Sequence, residues 1–162
     1  MTIREATGEE SHTLALLIRE SNRDVAIRFG LNGENNPKHP SFCNRDWVEA
    51  DFARGERYFL LEENGEPIGC VAYETPRVGV AYLNRLSVLP AHRQRGAGAR
   101  LVEHVIRQAR AESIQTLSIG IIAEHHQLQR WYNGLGFQDG ELKRFAHLPF
   151  SVRFMTHSLA AD

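Results

Sequence analysis

Val88-Leu89-Pro90-Ala91-His92-Arg93-Gln94-Arg95-Gly96-Ala97-Gly98-Ala99-Arg100-Leu101 is the stretch that decides the fold. An apolar segment ends at Val88, a basic turn with two glycines follows, and helical spacing begins at Gly98, with apolar residues at Leu101, Val102, Val105, Ile106 and Ala109. The first N–H groups of a helix have no partner inside the helix and lie at the positive end of its dipole. Glycines let such a backbone approach an anion closely, and Arg93, Arg95 and Arg100 add positive charge. The stretch therefore predicts a strand, a phosphate- or pyrophosphate-binding turn and an amphipathic helix.

Two common phosphate-binding patterns are excluded for this turn. No Gly-Lys-Ser/Thr follows it, as a P-loop requires, and the third glycine of the dinucleotide fingerprint is missing. Gly-x-Gly before a helix is weak evidence on its own, because a tight turn without a ligand has the same sequence.

Outward from this stretch, the apolar periodicity alternates between helix and strand. Downstream, residues 116–122 are typical of a buried central strand, and a short helix closed by Gly136 carries apolar residues at i, i+3, i+4 and i+7, namely Leu128, Trp131, Tyr132 and Leu135. Upstream, Asn64-Gly65 indicates a hairpin between strands 57–63 and 67–73, and a third strand follows over 78–88.

The two ends of the chain complete the pattern. A strand over 2–6 precedes a helix with Leu14, Leu17, Ile18 and Ser21 on one face; a loop over 30–40 and a helix over 44–54 follow, and two strands within 142–158 flank His147-Leu148-Pro149. The order β α α β β β α β α β β predicts an α/β fold, a mixed sheet with helices on its faces.

Composition limits the classes of protein and partner. The 162 residues predict a single domain over 1–162, and the net charge of -1 gives no overall attraction to nucleic acids or acidic membranes. Basic and aromatic residues form no common stripe, so we expect no nucleic-acid partner. The N-terminus lacks a signal-peptide run, and no apolar run reaches the ~18 residues of a membrane helix, so we expect no membrane partner and a cytoplasmic protein.

Cysteine and histidine give no sign of a metal site. Two cysteines, Cys43 and Cys70, form neither a disulfide framework nor zinc-ligand spacing, and two reduced thiols are expected. Of the eight histidines, His125 and His126 are adjacent and diverge, and His92 and His104 lack carboxylates at short spacing. We expect no metal.

Two motifs together resemble a known family. Arg93-x-x-Gly96-x-Gly98, between a strand and a helix, resembles motif A of the GNAT superfamily of acyl-CoA-dependent N-acetyltransferases. Trp131-Tyr132-Asn133-Gly134-Leu135-Gly136-Phe137 resembles the Tyr-x-x-x-Gly-Phe helix ending of that family, and a helix and a strand lie between the two motifs in the expected order. The resemblance implies a single GNAT-like domain with a central, mostly antiparallel sheet of about seven strands and about four helices.

The resemblance also implies an activity. Acetyl-CoA is the expected cosubstrate, and an amine of a small molecule or protein attacks it directly in a ternary complex, without a metal or a covalent enzyme intermediate. The alternative is a non-catalytic acyl-CoA-binding sensor, and a nucleotide-binding protein outside the family rests only on the glycine-rich turn. Because sheet edges pair in such folds, a homodimer is the default expectation.

Carried onto this chain, the family pattern assigns roles to particular residues. The pyrophosphate is expected on the turn, with Arg93 alongside Gln94, Arg95, Gly96, Ala97, Gly98 and Ala99. The pantetheine arm and the thioester carbonyl are expected on backbone groups of Leu86, Ser87 and Val88, with the oxyanion held by an N–H near Val88. The Tyr132 hydroxyl is expected to protonate the leaving thiolate; plain core packing is the alternative for Tyr132, Leu86 and Val88.

Two departures from the family pattern concern the general base and the pantetheine arm. His125 stands where many relatives have an Asn that binds the arm, so imidazole replaces that contact or is a solvated loop side chain. The fourth and fifth strands hold no carboxylate where many relatives have a base, which leaves Glu124 as the candidate base, with Glu74 and His125 as the other near carboxylate or imidazole groups.

The acceptor amine is constrained by the missing base. Freeing the lone pair of a lysine-type amine at pH 7 costs about 4.6 kcal/mol, whereas an α-amine costs only about 1.4 kcal/mol. A low-pKa amine, or deprotonation through a chain of waters, is therefore expected. Relatives build the acceptor site within 24–47, where Glu34 would suit a cationic amine alongside His39 and Phe42, unless this segment is a solvated loop.

Overall fold

The computed structural model describes residues 1–160, which form one seven-stranded sheet in the order β1-β2-β3-β4-β5-β7-β6. The strands are β1 (Thr2–Glu5), β2 (Arg57–Glu63), β3 (Glu66–Arg77), β4 (Val80–Val88), β5 (Thr116–Ile122), β6 (Gln138–Arg144) and β7 (Ser151–Ser158). The helices are α1 (Ser11–Arg28), α2 (Arg45–Ala53), α3 (Ala97–Ala111) and α4 (His126–Gly134), with 3-10 turns at Gly8–Glu10, Pro40–Phe42 and Pro90–His92. The predicted mixed sheet of seven strands and four helices is confirmed. The last two residues of the expected 1–162 domain lie outside the described residues.

One neighbouring pair of strands is parallel, and it has the fewest paired residues in the sheet. β4 and β5 pair only where Val80, Ala81 and Tyr82 face Thr116, Leu117 and Ser118, and beyond this point the two strands separate. Every other neighbouring pair is antiparallel. Helix α3 supplies the crossover that a parallel connection requires. We call the line between β4 and β5 the seam.

Each face of the sheet packs against its own helices. Alternate side chains of β2 point to opposite faces, so Phe59 and Leu61 pack with α3, whereas Tyr58 and Leu60 pack with α1 and α2. On α1 the predicted apolar face is buried: Leu14, Leu17, Ile18 and Ser21 are each at most 5% exposed. A sheet buried on both faces explains why these strands have nearly continuous apolar sequences.

Two strand boundaries differ from the sequence predictions. β3 continues to Arg77 and turns tightly at Val78 and Gly79, where Gly79 has a φ of 78°. β6 begins at Gln138 rather than at residue 142, although all seven of its residues are exposed. An edge strand made of polar residues carries no apolar alternation, so no pattern in these residues marks where the strand begins.

Among residues 1–160, no helix combines the length and the apolar character that crossing a membrane requires. Within the same range, no group of three or more His, Cys, Asp or Glu side chains could hold a metal ion. Cys43 and Cys70 are free and buried.

Candidate functional site

A β-bulge lies in β4 beside the seam. Cys70 faces Ser87 and Ala72 faces Asn84, so β4 has one more residue than β3 between these pairs. The bulge contains Arg85, whose φ of 53° lies in the left-handed region that non-glycine residues seldom adopt. Bulges redirect side chains near functional sites, and this one turns Arg85 to the same side of the sheet as Asn84, toward α2.

A cavity of about 1170 Å³ opens where β4 and β5 separate. Its walls are the two strands, the turn over 93–99, the second half of α1, the loop over 36–40, α4 and the loop before β7. Both predicted motifs therefore border one cavity, and it includes the expected segment 86–88 of β4.

The turn before α3 presents a row of backbone donors. The first hydrogen bond of the helix runs from Arg100 N–H to the Gly96 carbonyl at 3.0 Å, and within residues 1–160 the N–H groups of residues 94–99 have no acceptor. Gln94 and Gly96 have φ values of 62° and 81°. Alternating left- and right-handed residues form an anion-binding nest of N–H groups at the positive end of the helix dipole.

The two glycines of this turn are needed for different reasons. Gly96 has a positive φ, and a Cβ on it would meet open space. A Cβ on Gly98 would lie 3.2 Å from the Trp131 ring, closer than ordinary packing allows. Gly96 thus permits the shape of the turn, whereas Gly98 lets α3 pack against α4.

The three arginines near the turn each donate a hydrogen bond to another part of the protein, and their role toward an anion stays a prediction. Arg93 donates to Asp24 at 2.7 Å and to the Ser21 carbonyl at 2.5 Å, and this guanidinium holds the pKa of Asp24 below its usual range. Arg95 donates to a Glu63 carboxylate at 2.6 Å, and Arg100 to the Met1 carbonyl at 2.8 Å. Arg93 lines the cavity, but its guanidinium fixes α1 against the turn. The anion-binding capacity of the turn lies in its backbone.

Tyr132 lines the cavity from α4 and is 5% exposed. Its ring makes edge contacts with Trp131 and Phe137, with centroids 4.9 and 5.4 Å away. Its hydroxyl has no hydrogen-bond partner within residues 1–160, and burial raises the pKa of Tyr132, so the phenol is neutral at pH 7. The Tyr132 ring packs as a core aromatic and the residue borders the cavity, and its role as general acid stays a prediction.

His125 lines the same cavity and caps α4. Its Nδ1 accepts from Leu128 N–H at 3.4 Å, and its ring packs on Phe29 with centroids 5.6 Å apart. Burial, reinforced by the charge of Arg28, lowers the pKa of His125. The side chain is half-buried rather than fully solvated, and its contact with the pantetheine arm stays a prediction.

The expected base Glu124 is not brought together with Tyr132. It is exposed in the turn after β5 and does not line the cavity. Glu74 instead accepts from the Asn84 amide at 3.1 Å, and the same amide donates to Glu56 at 2.9 Å. Burial, together with the charges of Asp51 and Glu74, raises the pKa of Glu56. Sequence reasoning missed Glu56, because a glutamate just before a strand has no recognisable pattern.

Asp51 anchors Arg85 beneath the cavity. It is 1% exposed and accepts from the Tyr58 hydroxyl at 2.5 Å, from Arg85 Nε at 2.9 Å and from Arg54 at 2.5 Å. Burial acts to raise the pKa of Asp51, but these donors outweigh it and the pKa lies below its usual range. The Arg85 guanidinium carbon lies 5.7 Å from the centre of the Trp47 ring.

The loop between α1 and α2 contributes polar groups but no carboxylate. Asn36 and His39 are 5% and 6% exposed and line the cavity. His39 Nδ1 accepts from Ser41 N–H at 3.2 Å, and burial lowers the pKa of His39, so its neutral ring carries the proton on Nε2. Glu34 is exposed outside the cavity lining, so the expectation that it forms an acidic acceptor site is wrong; Phe42 does not line the cavity either.

Comparison with known proteins assigns a family to this arrangement. A family model described as the acetyltransferase (GNAT) family matches residues 17–137. The [ribosomal protein bS18]-alanine N-acetyltransferase of Escherichia coli (strain K12) is 30% identical over 102 residues, which cover 60% of this chain and 68% of that protein. An N-acetyltransferase of Methanocaldococcus jannaschii is 28% identical over 91 residues, covering 52% of this chain and 40% of that protein.

Solved structures share the fold over nearly the whole chain. The ribosomal-protein-S18-alanine N-acetyltransferase from Escherichia coli has a TM-score of 0.76 at 18% identity, covering 99% of this chain and 95% of that one. The structure of yncA from Salmonella typhimurium with its cofactor acetyl-CoA has a TM-score of 0.72 at 20% identity, covering 100% of this chain and 95% of that one.

Proposed function

The chain belongs to the acetyltransferase (GNAT) family, and from that premise we propose how its residues carry out acetyl transfer. It is an N-acetyltransferase that uses acetyl-CoA as cosubstrate. The sensor alternative finds no support, since the named relatives are N-acetyltransferases.

The observation that best supports the proposed cosubstrate site is the row of backbone N–H groups over 94–99, which have no acceptor within residues 1–160. The pyrophosphate of acetyl-CoA binds there, with Gly96 holding the turn in its left-handed shape. Binding depends on backbone geometry, because Arg93 and Arg95 already donate to Asp24 and Glu63.

The pantetheine arm lies along the free side of β4, on Leu86, Ser87 and Val88. Leu89 N–H donates to the Ile68 carbonyl on β3 at 2.9 Å. Because N–H groups alternate in direction along a strand, Val88 N–H points to the seam. There it can hold the oxyanion that forms on the thioester carbonyl. His125 lines the same cavity.

The chemistry needs one acid at the sulfur. The amine nitrogen attacks the thioester carbon, the C–N bond forms and the C–S bond breaks. The leaving thiolate takes the phenolic proton of Tyr132, water reprotonates the tyrosine, and the proton lost by the attacking nitrogen leaves to water. Burial keeps Tyr132 neutral and able to donate, and the same dry surroundings raise the proton affinity of the thiolate.

The acceptor amine enters as the free base. Among residues 1–160, Asp24 is the one carboxylate in the cavity lining, and Arg93 binds it. With Glu124 outside the cavity, deprotonation falls to water. An α-amine, which costs about 1.4 kcal/mol to deprotonate at pH 7, fits better than a lysine side chain at about 4.6 kcal/mol. A relative named for acetylating an alanine supports an α-amine, since alanine has no other amine.

We place the enzyme in the cytoplasm, and the two free, buried cysteines support a reducing compartment. A homodimer stays a prediction; the sheet edges available to it are β1 and β6.

Thermal unfolding with acetyl-CoA, ATP and NADP in parallel tests the cosubstrate site. Ligand at 100 times its Kd stabilises the fold by about 2.7 kcal/mol, which raises the melting temperature by roughly 5–10 °C. We expect this shift with acetyl-CoA alone, followed by CoA release when an α-amine is added. A shift with ATP or NADP but not acetyl-CoA would contradict the assignment of the turn, and a flat rate across acceptor amines with pKa values of about 7.5 to 10.5 would contradict the low-pKa acceptor.

A further inference from the structure

The lining of the cavity has an excess of positive charge. It includes the cationic side chains of Arg28, Lys38, Arg85 and Arg93. Among the described residues the lining has one carboxylate, Asp24, and that group is paired with Arg93. A polycationic acceptor such as a polyamine would therefore enter a cavity that repels it.

Of these four cations, Arg85 is the nearest in sequence to the segment of β4 proposed to hold the thioester. It precedes Leu86, where the proposed thioester path begins, and it lines the cavity at the bulge. Its Nε donates to Asp51 at 2.9 Å, whereas neither Nη atom has an acceptor within residues 1–160. The side chain is 22% exposed and its guanidinium lies over the Trp47 ring. Two terminal nitrogens of one planar group can bind both oxygens of a carboxylate.

The backbone of Arg85 adopts an unfavourable conformation, and this conformation places the guanidinium at the cavity. The left-handed region is energetically unfavourable for a non-glycine residue. Such strain persists where surrounding contacts impose it, and it concentrates at functional sites. Here the contacts with Asp51 and Trp47 fix the guanidinium, so its Nη atoms are positioned before any acceptor arrives.

The loop between α1 and α2 adds uncharged donors to the same cavity. The neutral His39 ring carries its proton on Nε2, which has no acceptor within residues 1–160, and the Asn36 amide likewise has none. Asn36, His39 and Arg85 line the same cavity.

We infer that the acceptor is a small amine with a carboxylate beside its nitrogen, as in a free α-amino acid, and that Arg85 binds this carboxylate with His39 and Asn36. The inference rests on the proposed function and narrows its acceptor. A carboxylate beside the nitrogen raises the amine pKa above the value of about 8 for a peptide α-amine, so the ion pair with Arg85 has to offset the extra cost of deprotonation. A protein N-terminus has an uncharged peptide carbonyl at the same place, so Arg85 would gain no ion pair from it.

Matched pairs of acceptors test this directly: alanine against alaninamide, and methionine against methioninamide. Each pair differs only in the charge of the group next to the amine. The carboxylate stabilises the protonated amine, so intrinsic reactivity favours the amide. We expect the enzyme to reverse this order, with kcat/KM about tenfold or more higher for the acid.

Arg85→Gln is expected to lower kcat/KM for the acids about tenfold and to change that for the amides less than about threefold. Arg45→Gln is the matched control, because Arg45 is exposed on α2 and paired with Glu49, and it should change neither. Acetyl-CoA affinity should be the same in all three proteins. If loss of the Asp51 partner prevents folding of Arg85→Gln, Arg85→Lys keeps a cation there but lacks the planar pair of terminal nitrogens, and it should reduce the preference for acids without abolishing it.

An enzyme that uses the amides or alanine-initiated peptides as well as the acids overturns this inference and leaves the acetyltransferase assignment intact. An acid preference that survives undiminished in Arg85→Gln and Arg85→Lys overturns the role of Arg85. Failure to release CoA with any acid, amide, peptide or polyamine overturns the proposed function and this inference together.

Discussion

The two ends of the cavity are built from different parts of the chain. The end proposed for the pyrophosphate consists of consecutive backbone N–H groups over 94–99. The end proposed for the acceptor consists of side chains from separate elements, with Arg85 on a bulge and His39 in a loop. A site made of backbone can be encoded in one short motif, whereas a site made of side chains depends on how distant elements pack.

The two ends of the cavity also differ in how substitutions affect them. Substitutions among the side chains of 94–99 leave the N–H groups in place, provided that the turn keeps its shape. At the acceptor end, one substitution at Arg85 or His39 changes the charge or the donors that a ligand meets. The acceptor end is therefore where relatives with the same cosubstrate can diverge in substrate.

The largest expected effect falls on Tyr132, where the two ends meet. Tyr132→Phe should lower turnover about 100-fold, because the thiolate loses its general acid. Acetyl-CoA affinity should change less than about twofold, because the hydroxyl makes no hydrogen bond within residues 1–160 and the ring contacts with Trp131 and Phe137 remain. Steady-state rates and calorimetric titration measure the two quantities.

Tyr82→Phe is the control for this substitution, because Tyr82 lies on β4 opposite Ser118 and outside the cavity lining. Unchanged turnover of Tyr132→Phe across the pH range would remove Tyr132 from the mechanism.

An intermediate effect is expected from a pair of glycines. Gly96 and Gly65 have φ values of 81° and 79°, and a Cβ on either would meet open space. Alanine should lower the free energy of unfolding by about 1 kcal/mol at both positions. Only Gly96→Ala should also weaken acetyl-CoA binding, by roughly fivefold, since relaxation of the turn redirects its N–H groups. Denaturant unfolding and calorimetric titration provide the comparison, and equal Kd values for the two variants would show that the nest does not bind the cosubstrate.

The smallest expected effect is the pH dependence of stability at the acceptor end. Burial lowers the pKa of His39, so the unfolded chain takes up a proton at a higher pH than the folded chain does. Stability should therefore fall as the pH drops from 7 to 5, and the fall should be smaller in His39→Gln. His104 and His125 have pKa values lowered in the same direction, so part of the slope should remain. Melting experiments at each pH measure the slope, and an unchanged slope in His39→Gln would contradict the effect of burial.

Local signals predicted most of the fold. Residues 57–63 and 116–122 are strands with the predicted bounds, because buried strands have apolar sequences that are recognisable without the structure. β6 was placed four residues late, since an exposed edge strand needs no apolar pattern. The bulge in β4 was not predicted, because it depends on the register with β3, and strict alternation would place Arg85 and Asn84 on opposite faces.

The parts of the site encoded by short sequence motifs were predicted, and the parts formed by residues far apart in sequence were missed. The turn and Tyr132 came from motifs, and the structure brings both to one cavity. The partners of the arginines near the turn, Asp24, Glu63 and Met1, were not predicted because they lie 69, 32 and 99 positions away in sequence. The group of Asp51, Glu56 and Glu74 is likewise assembled only by folding.

The seam has a consequence for the lifetime of the protein. Three residue pairs join β4 to β5, whereas seven join β5 to β7, so the sheet consists of two sections that share a short boundary. If the pantetheine amides bind along that boundary as proposed, the cosubstrate completes the ladder that the strands leave open. Each tenfold rise in acetyl-CoA above its Kd then adds about 1.4 kcal/mol against opening. Resistance to proteolysis would follow the metabolic supply of acetyl groups, so that the enzyme persists when its donor is plentiful and is degraded when the donor is scarce.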